Sequence, residues 1–152
     1  MGSEMCIRDS IILRGGKDGP NYSSEHVTAT CEKLKAKGLV SRVMVDFSHA
    51  NSEKKFKNQI KVGENIANQI ENGSDSVFGV MIESHLNEGN QKVGPLSSLQ
   101  YGVSITDSCI GWDDTEQLLR DLAQSVKKRN SCLLYTSPSP RDATLSRMPS
   151  SA

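Results

Sequence analysis

Val43-Met44-Val45-Asp46-Phe47-Ser48-His49 passes from an apolar run straight into polar residues, and that junction decides how the fold is read. Val43 to Phe47 is a strand candidate, short and rich in β-branched and aromatic side chains. Two other apolar runs end the same way: Ile11-Ile12-Leu13 in Arg14, and Val77 to Ile82 in Glu83. The last is apolar on both faces, which predicts a parallel strand covered on each side by helices. Helical patterns separate these runs. Ser23 or Ser24 caps a helix carrying Val27, Cys31 and Leu34, which Gly38 stops. A second helix is predicted from about Glu53 to Glu71, with Phe56, Ile60, Gly63, Ala67 and Ile70 in one stripe, Ile66 beside it, and Asn72-Gly73 closing it. Asp113 and Glu116 form a capping-box-like start to a third, with Leu118, Leu119, Leu122 and Val126 inward and Lys127, Lys128 and Arg129 at its end. Strict alternation of this kind predicts the α/β class with parallel strands. A doubly wound sheet and part of a barrel both give the pattern. Polar residues at the C-terminal end of every strand favour the barrel, whose catalytic face is built from successive strand ends. No GxGxxG or GxxxxGK[ST] string occurs, so the usual dinucleotide and P-loop signals are missing.

The 152 residues carry 18 basic and 18 acidic side chains, and residues 11–130 are balanced as well, fifteen against fifteen. Neutrality argues against a protein that grips nucleic acid or a membrane surface through bulk charge. The length suits one packed unit. The longest apolar runs reach only about half of the roughly 20 residues a membrane helix needs. Cys6, Cys31, Cys109 and Cys132 form no CxxC pair, which predicts free thiols in a reducing, cytoplasmic setting. The two ends differ from the middle. Residues 1–10 have no pattern and no signal-peptide layout, and residues 131–152 hold six Ser and three Pro, with Pro138 and Pro140 forbidding continuous helix. Both ends resemble translated library adaptor, so they are read as a non-native or disordered leader and tail.

The strand ends hold the candidate chemistry. Arg14-Gly15-Gly16-Lys17 places two cations around glycines that let backbone amides approach an anion, and the Arg fork suits phosphate or carboxylate. A basic surface turn is the plainer alternative. Asn21 and Tyr22 are read as ordinary turn residues. His49 is a metal ligand, an acid–base group, or a histidine that is merely hydrogen-bonded. Glu83 favours the first two readings, because a carboxylate next to buried apolar sequence needs a partner. Asp107 is a third ligand candidate, and one His with two carboxylates suits a borderline divalent ion rather than Ca. His85 competes as a ligand, whereas His26 is read as a surface or packing residue. Glu88-Gly89-Asn90-Gln91 is expected to position Glu83 and His85 or to line a substrate. Cys109 is read as a buried structural thiol, and Trp112 as packing the long loop onto the last helix.

Ile11-Ile12-Leu13-Arg14-Gly15-Gly16 with Pro20-Asn21-Tyr22, Asp46-Phe47-Ser48-His49-Ala50-Asn51-Ser52, Val80-Met81-Ile82-Glu83-Ser84-His85 with Glu88-Gly89-Asn90-Gln91, and Tyr101-Gly102 with Ser104 through Trp112 together resemble class I 3-deoxy-D-arabino-heptulosonate 7-phosphate (DAHP) synthase, the phospho-2-dehydro-3-deoxyheptonate aldolases. The resemblance covers residues 11–129. It implies the C-terminal three βα units of a (β/α)8 TIM barrel, incomplete, with residues 11–130 forming a partial aldolase-type domain. It implies condensation of phosphoenolpyruvate with erythrose 4-phosphate, the first step toward chorismate, by a homo-oligomeric parent with no nucleic-acid or membrane partner. Carried over by motif, Arg14 binds the phosphate of phosphoenolpyruvate with Lys17 beside it. His49, Glu83 and Asp107 are three of four ligands to a divalent ion (Mn, Fe, Co or Zn). Arg14, His49 and Glu83 are the catalytic set, with no further cofactor. The fourth family ligand is a cysteine on the first barrel strand, and none of the four cysteines here occupies its place. A related barrel that uses arabinose 5-phosphate, and a non-catalytic phosphate-binding domain, are the competing readings. Three βα units alone are expected to leave two open sheet edges and to uncover Val43, Val45, Val77 and Val80, so that the polypeptide barely folds and does not catalyse.

Overall fold

The computed structural model describes residues 11–136. The leader 1–10 and the part of the tail from 137 onward lie outside those residues. Strand β1 (Ile11–Leu13), helix α1 (Ser24–Ala36), strand β2 (Val43–Asp46), helix α2 (Asn58–Glu71), strand β3 (Val77–Met81) and helix α3 (Trp112–Thr136) follow one another, with a single 3-10 turn at Leu96–Ser98 in the long loop before α3. Helix α3 continues six residues beyond the boundary that composition set at residue 130.

The three strands form one parallel sheet in the order β1-β2-β3. Leu13, Val45 and Val80 are aligned across it, as are Ile12, Met44 and Gly79, with a register shift at Val43/Met44. The result is an incomplete parallel sheet flanked by helices. Its C-terminal strand ends lie side by side, and so do Arg14, Ser48-His49 and Glu83.

The buried core joins Leu13, Val43, Val45, Phe47 and Val77 of the sheet layer to Val27, Cys31 and Leu34 of α1, Val62, Ile66 and Ile70 of α2, and Leu118 and Leu122 of α3. The sheet face expected to be uncovered is therefore the covered one. Val43 and Val45 are 0% exposed and Val77 8%, with Val80 half-buried. The opposite face is open instead, with Ile12 45%, Phe78 46% and Met81 42% exposed. Strand alternation is the reason, since a one-residue step moves a side chain to the other face. For the same reason β3 is not covered on both faces.

Helix α1 ends as predicted. Gly38 adopts φ +70, its N–H donates to the Lys35 carbonyl, and Leu39 N–H reaches the Leu34 carbonyl, a Schellman closure. Helix α2 begins at Asn58, five residues later than expected. His49, Glu53 and Lys54 all have positive φ (55, 54 and 59°), so the chain before it runs as turns. Its buried stripe is Gln59, Val62, Gly63, Ile66, Ala67 and Ile70, leaving Ile60 half-buried and Phe56 outside the helix. In α3 the capping-box reading fails: the helix starts at Trp112, Asp113 sits inside its first turn, and Glu116 pairs with Arg120. Leu118 and Leu122 are buried and Leu119 is exposed. Lys128 pairs with Glu71, and Arg129 donates to the Ser74 carbonyl, so these bases tie α3 to the end of α2.

Gly63 sets how closely α2 meets α3 and β2. A Cβ there would lie 2.3 Å from Leu118 Cδ1 and 3.0 Å from Phe47 Cε2, both on buried side chains. Ala usually stabilises a helix interior over Gly by roughly 0.5–1 kcal/mol. Overpacking a filled core costs about 1–3 kcal/mol, so the net effect here is a loss. Gly63→Ala is expected to lower the urea midpoint of unfolding, and an unchanged or raised midpoint would contradict this packing.

Candidate metal centre

His49 opens the turn that follows β2, and its backbone lies in the left-handed region, which histidine adopts more readily than most residues. Three residues earlier, Asp46 is 3% exposed. Its Oδ1 accepts a hydrogen bond from the Ser48 N–H at 2.9 Å, and its Oδ2 lies 2.8 Å from His49 Nδ1. That contact is short but off the line of the ring N–H, so Nδ1 is buried without an aligned partner. Asp46 thus backs Nδ1 and turns Nε2 toward Glu83, with 3.6 Å between Nε2 and Oε1. A carboxylate behind one ring nitrogen is the placement from which a metal-binding histidine is oriented, here by close charge contact and not by an aligned hydrogen bond.

Glu83 lies two residues beyond the last residue of β3 and is held on both its backbone and its carboxylate. Ser48 Oγ donates to Oε2 at 2.7 Å. The Gln59 carboxamide donates to the Glu83 carbonyl at 3.0 Å and accepts the Glu83 N–H at 2.9 Å. Asp107 comes from the long loop. That loop is tied to the end of β3 by Ile110 N–H donating to the Glu83 carbonyl and by His85 N–H donating to the Ile110 carbonyl. Ligand atoms of His49, Glu83 and Asp107 fall within 4.8 Å of one another. They border a cleft of about 400 Å³, also lined by Ser48, Lys54 and Asn90. One imidazole nitrogen and two carboxylates, converging and supported from behind, fit a divalent metal ion.

The remaining candidates are more dispersed. The guanidinium of Arg14 reaches the cluster only through Asp46, with Nε 4.0 Å from Oδ2, and is mostly exposed. Lys17 is exposed in the turn closed by Gly16 and Gly19, and neither cation lines the cleft. His85 is not in the cluster. Its Nδ1 lies between the Gly102 carbonyl and the Leu86 N–H, which ties the ring to the long loop. His26 is exposed and bonds Ser23. Cys109 is buried and stands outside the ligand group. Burial pushes its thiol pKa up, with the Glu83 and Asp107 carboxylates adding to a rise that a hydrogen bond to Ser104 opposes, so the thiolate is disfavoured. Trp112 is 55% exposed, and the residues that dock the loop are the fully buried Ile110 and Thr115, whose Oγ1 bonds Ser84 Oγ. Glu88 pairs with Lys57, and the Gln91 amide braces the loop at Gln100 and Val103.

Four residues given no role of their own in the sequence organise the site: Asp46, Ser48 and Asn51, inside the string Asp46 to Ser52, and Gln59, outside every string. Asn51 is 2% exposed and donates to the carbonyls of both Leu13 and Asp46, joining the ends of β1 and β2. Its Oδ1 accepts the Asn21 N–H, and Asn21 Oδ1 accepts the Gly15 N–H. Asn21 is therefore more than a turn residue. Gly15 has no substitute, because it combines φ +74 with a Cβ position 2.6 Å from Ala50 Cβ.

Known proteins resemble most of this chain. The family model described as the DAHP synthetase I family matches residues 1–120. The Phe-sensitive phospho-2-dehydro-3-deoxyheptonate aldolase of Escherichia coli (strain K12) is 56% identical over 119 residues, covering 78% of this chain and 34% of that protein. The tyrosine-inhibited one of Schizosaccharomyces pombe is 53% identical over 123 residues, 78% of this chain and 33% of that protein. The solved structure of phospho-2-dehydro-3-deoxyheptonate aldolase from Francisella tularensis SCHU S4 superposes with a TM-score of 0.74 at 46% identity, covering 78% of this chain and 34% of that one. The chain spans about a third of the length of the curated relatives it matches.

Proposed function

The chain belongs to the DAHP synthetase I family, and from that premise we propose that it supplies part of the catalytic face of a DAHP synthase, a transferase of aromatic amino acid biosynthesis. The reaction condenses phosphoenolpyruvate, erythrose 4-phosphate and water into 3-deoxy-D-arabino-heptulosonate 7-phosphate and phosphate. Its three βα units are the last three of a (β/α)8 barrel. The observation that carries this reading is the convergence of His49, Glu83 and Asp107 where parallel strands end. The protein is assigned to the cytoplasm and to a homo-oligomer on the family resemblance, and no described helix is long and apolar enough to cross a membrane.

His49, Glu83 and Asp107 would hold a divalent ion, drawn from Mn, Fe, Co or Zn. When bound, it supplies Lewis acidity toward the aldehyde of erythrose 4-phosphate. C3 of phosphoenolpyruvate attacks that aldehyde carbon, water adds at C2, and the C2–O bond to phosphate then breaks. The Arg14 fork binds the phosphate of phosphoenolpyruvate through the charge it gains on leaving, and Lys17 adds a second cation. Asp46 keeps the His49 ring from rotating, and Ser48 keeps one Glu83 oxygen occupied. Glu83 Oε2, which keeps a second lone pair beside the Ser48 bond, takes the proton of the water that adds at C2, and the former aldehyde oxygen takes up one in turn.

An enzyme of the relatives' full length carrying this segment should form product with erythrose 4-phosphate and not with arabinose 5-phosphate. The reverse preference would move it to the other barrel. In the same enzyme, Arg14→Ala is expected to raise the KM for phosphoenolpyruvate by about 10- to 100-fold, from loss of a charge-assisted pair worth roughly 1.5–3 kcal/mol. Arg14→Lys should recover only part of this, because an ammonium lacks the planar fork. Kinetics with each substrate varied in turn check the assignment; an effect confined to erythrose 4-phosphate would refute it.

A further inference from the structure

We propose that Gln59 is the positioning residue that sets Glu83 for metal coordination, an inference that rests on the metal-centre reading above. Strand β3 ends at Met81, whose carbonyl accepts the Phe47 N–H, so Glu83 stands past the end of the regular ladder. Past that point β2 no longer supplies the backbone with a neighbour, and on the other side only the isolated bridge between Ser84 and Ile110 remains. Gln59 takes the neighbour's place. Its carboxamide accepts the Glu83 N–H at 2.9 Å and donates to the Glu83 carbonyl at 3.0 Å, the two bonds a paired strand residue would exchange. The same carbonyl also receives Ile110 N–H at 3.0 Å, which uses its second lone pair and brings in the loop that carries Asp107.

The clamp is rigid because of where it is built. Gln59 is 0% exposed, and a buried amide left unpaired is costly, so its orientation is held by these two bonds. It sits in the first turn of α2, the helix locked against Leu118 and Phe47 at Gly63. With the Glu83 backbone held by Gln59 and Oε2 by Ser48, Oε1 is the oxygen left facing His49 Nε2. Losing Ser48 would free one carboxylate rotamer. Losing Gln59 would free the residue and, through Ile110, the spacing between Glu83 and Asp107.

The test is a Co²⁺ titration of an enzyme of the relatives' full length carrying this segment, followed by visible absorption, which reports affinity and ligand geometry without turnover. Gln59→Met keeps the side-chain length and removes both bonds. Gln59→Asn keeps the amide but withdraws it by one methylene, which guards against a variant that fails to fold. Val62→Ala, on the same buried face of α2, is the control for general loosening. Both Gln59 variants are expected to weaken Co²⁺ binding by about 10- to 100-fold, the usual consequence of losing an outer support, and to change the absorption bands. Val62→Ala should lower the unfolding midpoint and leave the bands of the bound ion in place. Unchanged affinity and bands in the Gln59 variants, or an equal change in Val62→Ala, would overturn the proposal. Absence of Co²⁺ binding by the unsubstituted enzyme would overturn the metal-centre reading itself, and this inference with it.

Discussion

Replacing His49 by Ala in an enzyme of the relatives' full length is expected to abolish metal binding and turnover together. The other supports of the site act on ligands from behind, and such losses cost about 10–100-fold in metal affinity. Removing His49 deletes the only nitrogen of the His49, Glu83 and Asp107 group and leaves two carboxylates facing each other. The expected loss therefore exceeds that range. A second effect has to be separated from it. His49 sits at φ 55, where a residue with a Cβ is strained by roughly 1–2 kcal/mol, and histidine is among the side chains that tolerate it better than Ala. His49→Gly carries no such strain and no ligand atom. If ligation is the role of His49, both variants lose metal and turnover alike, with His49→Gly nearer the parent in unfolding midpoint. Full metal stoichiometry with normal turnover in either variant would refute the role.

The placement of that histidine shows what a one-dimensional reading reaches. Apolar runs ending in Arg14, Ser48-His49 and Glu83 give the strands and the face on which chemistry collects, because strand length and side-chain polarity are local properties. The helices follow from spacing for the same reason, and Gly38 and the turn at Asn72-Gly73 close them where expected. The start of α2 does not follow. Glu53 and Lys54 look helical by composition, but tertiary bonds from Asn51 and the turn after His49 hold that stretch in left-handed conformations. Propensity is weak against such constraints. Residue parity in the sheet was lost in the same way. Val and Phe are equally apolar, and only the pairing register turns Val43, Val45 and Val77 toward the helices and leaves Phe78 open.

The candidate ligands were readable because a His and two carboxylates at strand ends are unusual against apolar sequence. Their supports were not. Asp46, Ser48, Asn51 and Gln59 are common residue types whose roles exist only through partners 2 to 38 positions away. Gln59 carried a weak signal, a polar residue on the buried stripe of an amphipathic helix, and such a residue has to find a hydrogen bond. Cys109 gave the opposite lesson. Its position beside Asp107 invites a chemical role, whereas burial and two nearby carboxylates raise its pKa and suit a packed thiol.

The 152-residue polypeptide by itself is expected to show no turnover and to self-associate. A closed barrel leaves no strand edge unpaired and fills its interior from every strand. Among the described residues β1 and β3 each have one strand neighbour, and the sheet face opposite the helices presents Ile12, Phe78 and Met81 to solvent. Apolar surface of this kind, flanked by free backbone donors and acceptors, drives association. The long loop adds Leu96 and Tyr101, which are 89% and 87% exposed. The metal cluster offers three ligands, so it holds an ion more weakly than a complete set would, and that ion contributes correspondingly little to stability. Arg14 and Lys17 are the strand-end cations assigned to phosphate, whereas the reaction brings two phosphorylated substrates together. Sedimentation should show mass rising with concentration, and a hydrophobic dye should bind without added denaturant. Phosphate release from phosphoenolpyruvate with erythrose 4-phosphate and Mn²⁺ should stay at background. Masking the open face by Phe78→Lys and Met81→Lys should reduce association without restoring turnover, because the missing activity comes from the small number of strand ends and not from aggregation. A monodisperse polypeptide with measurable product formation would refute this account of the sheet and of the site together.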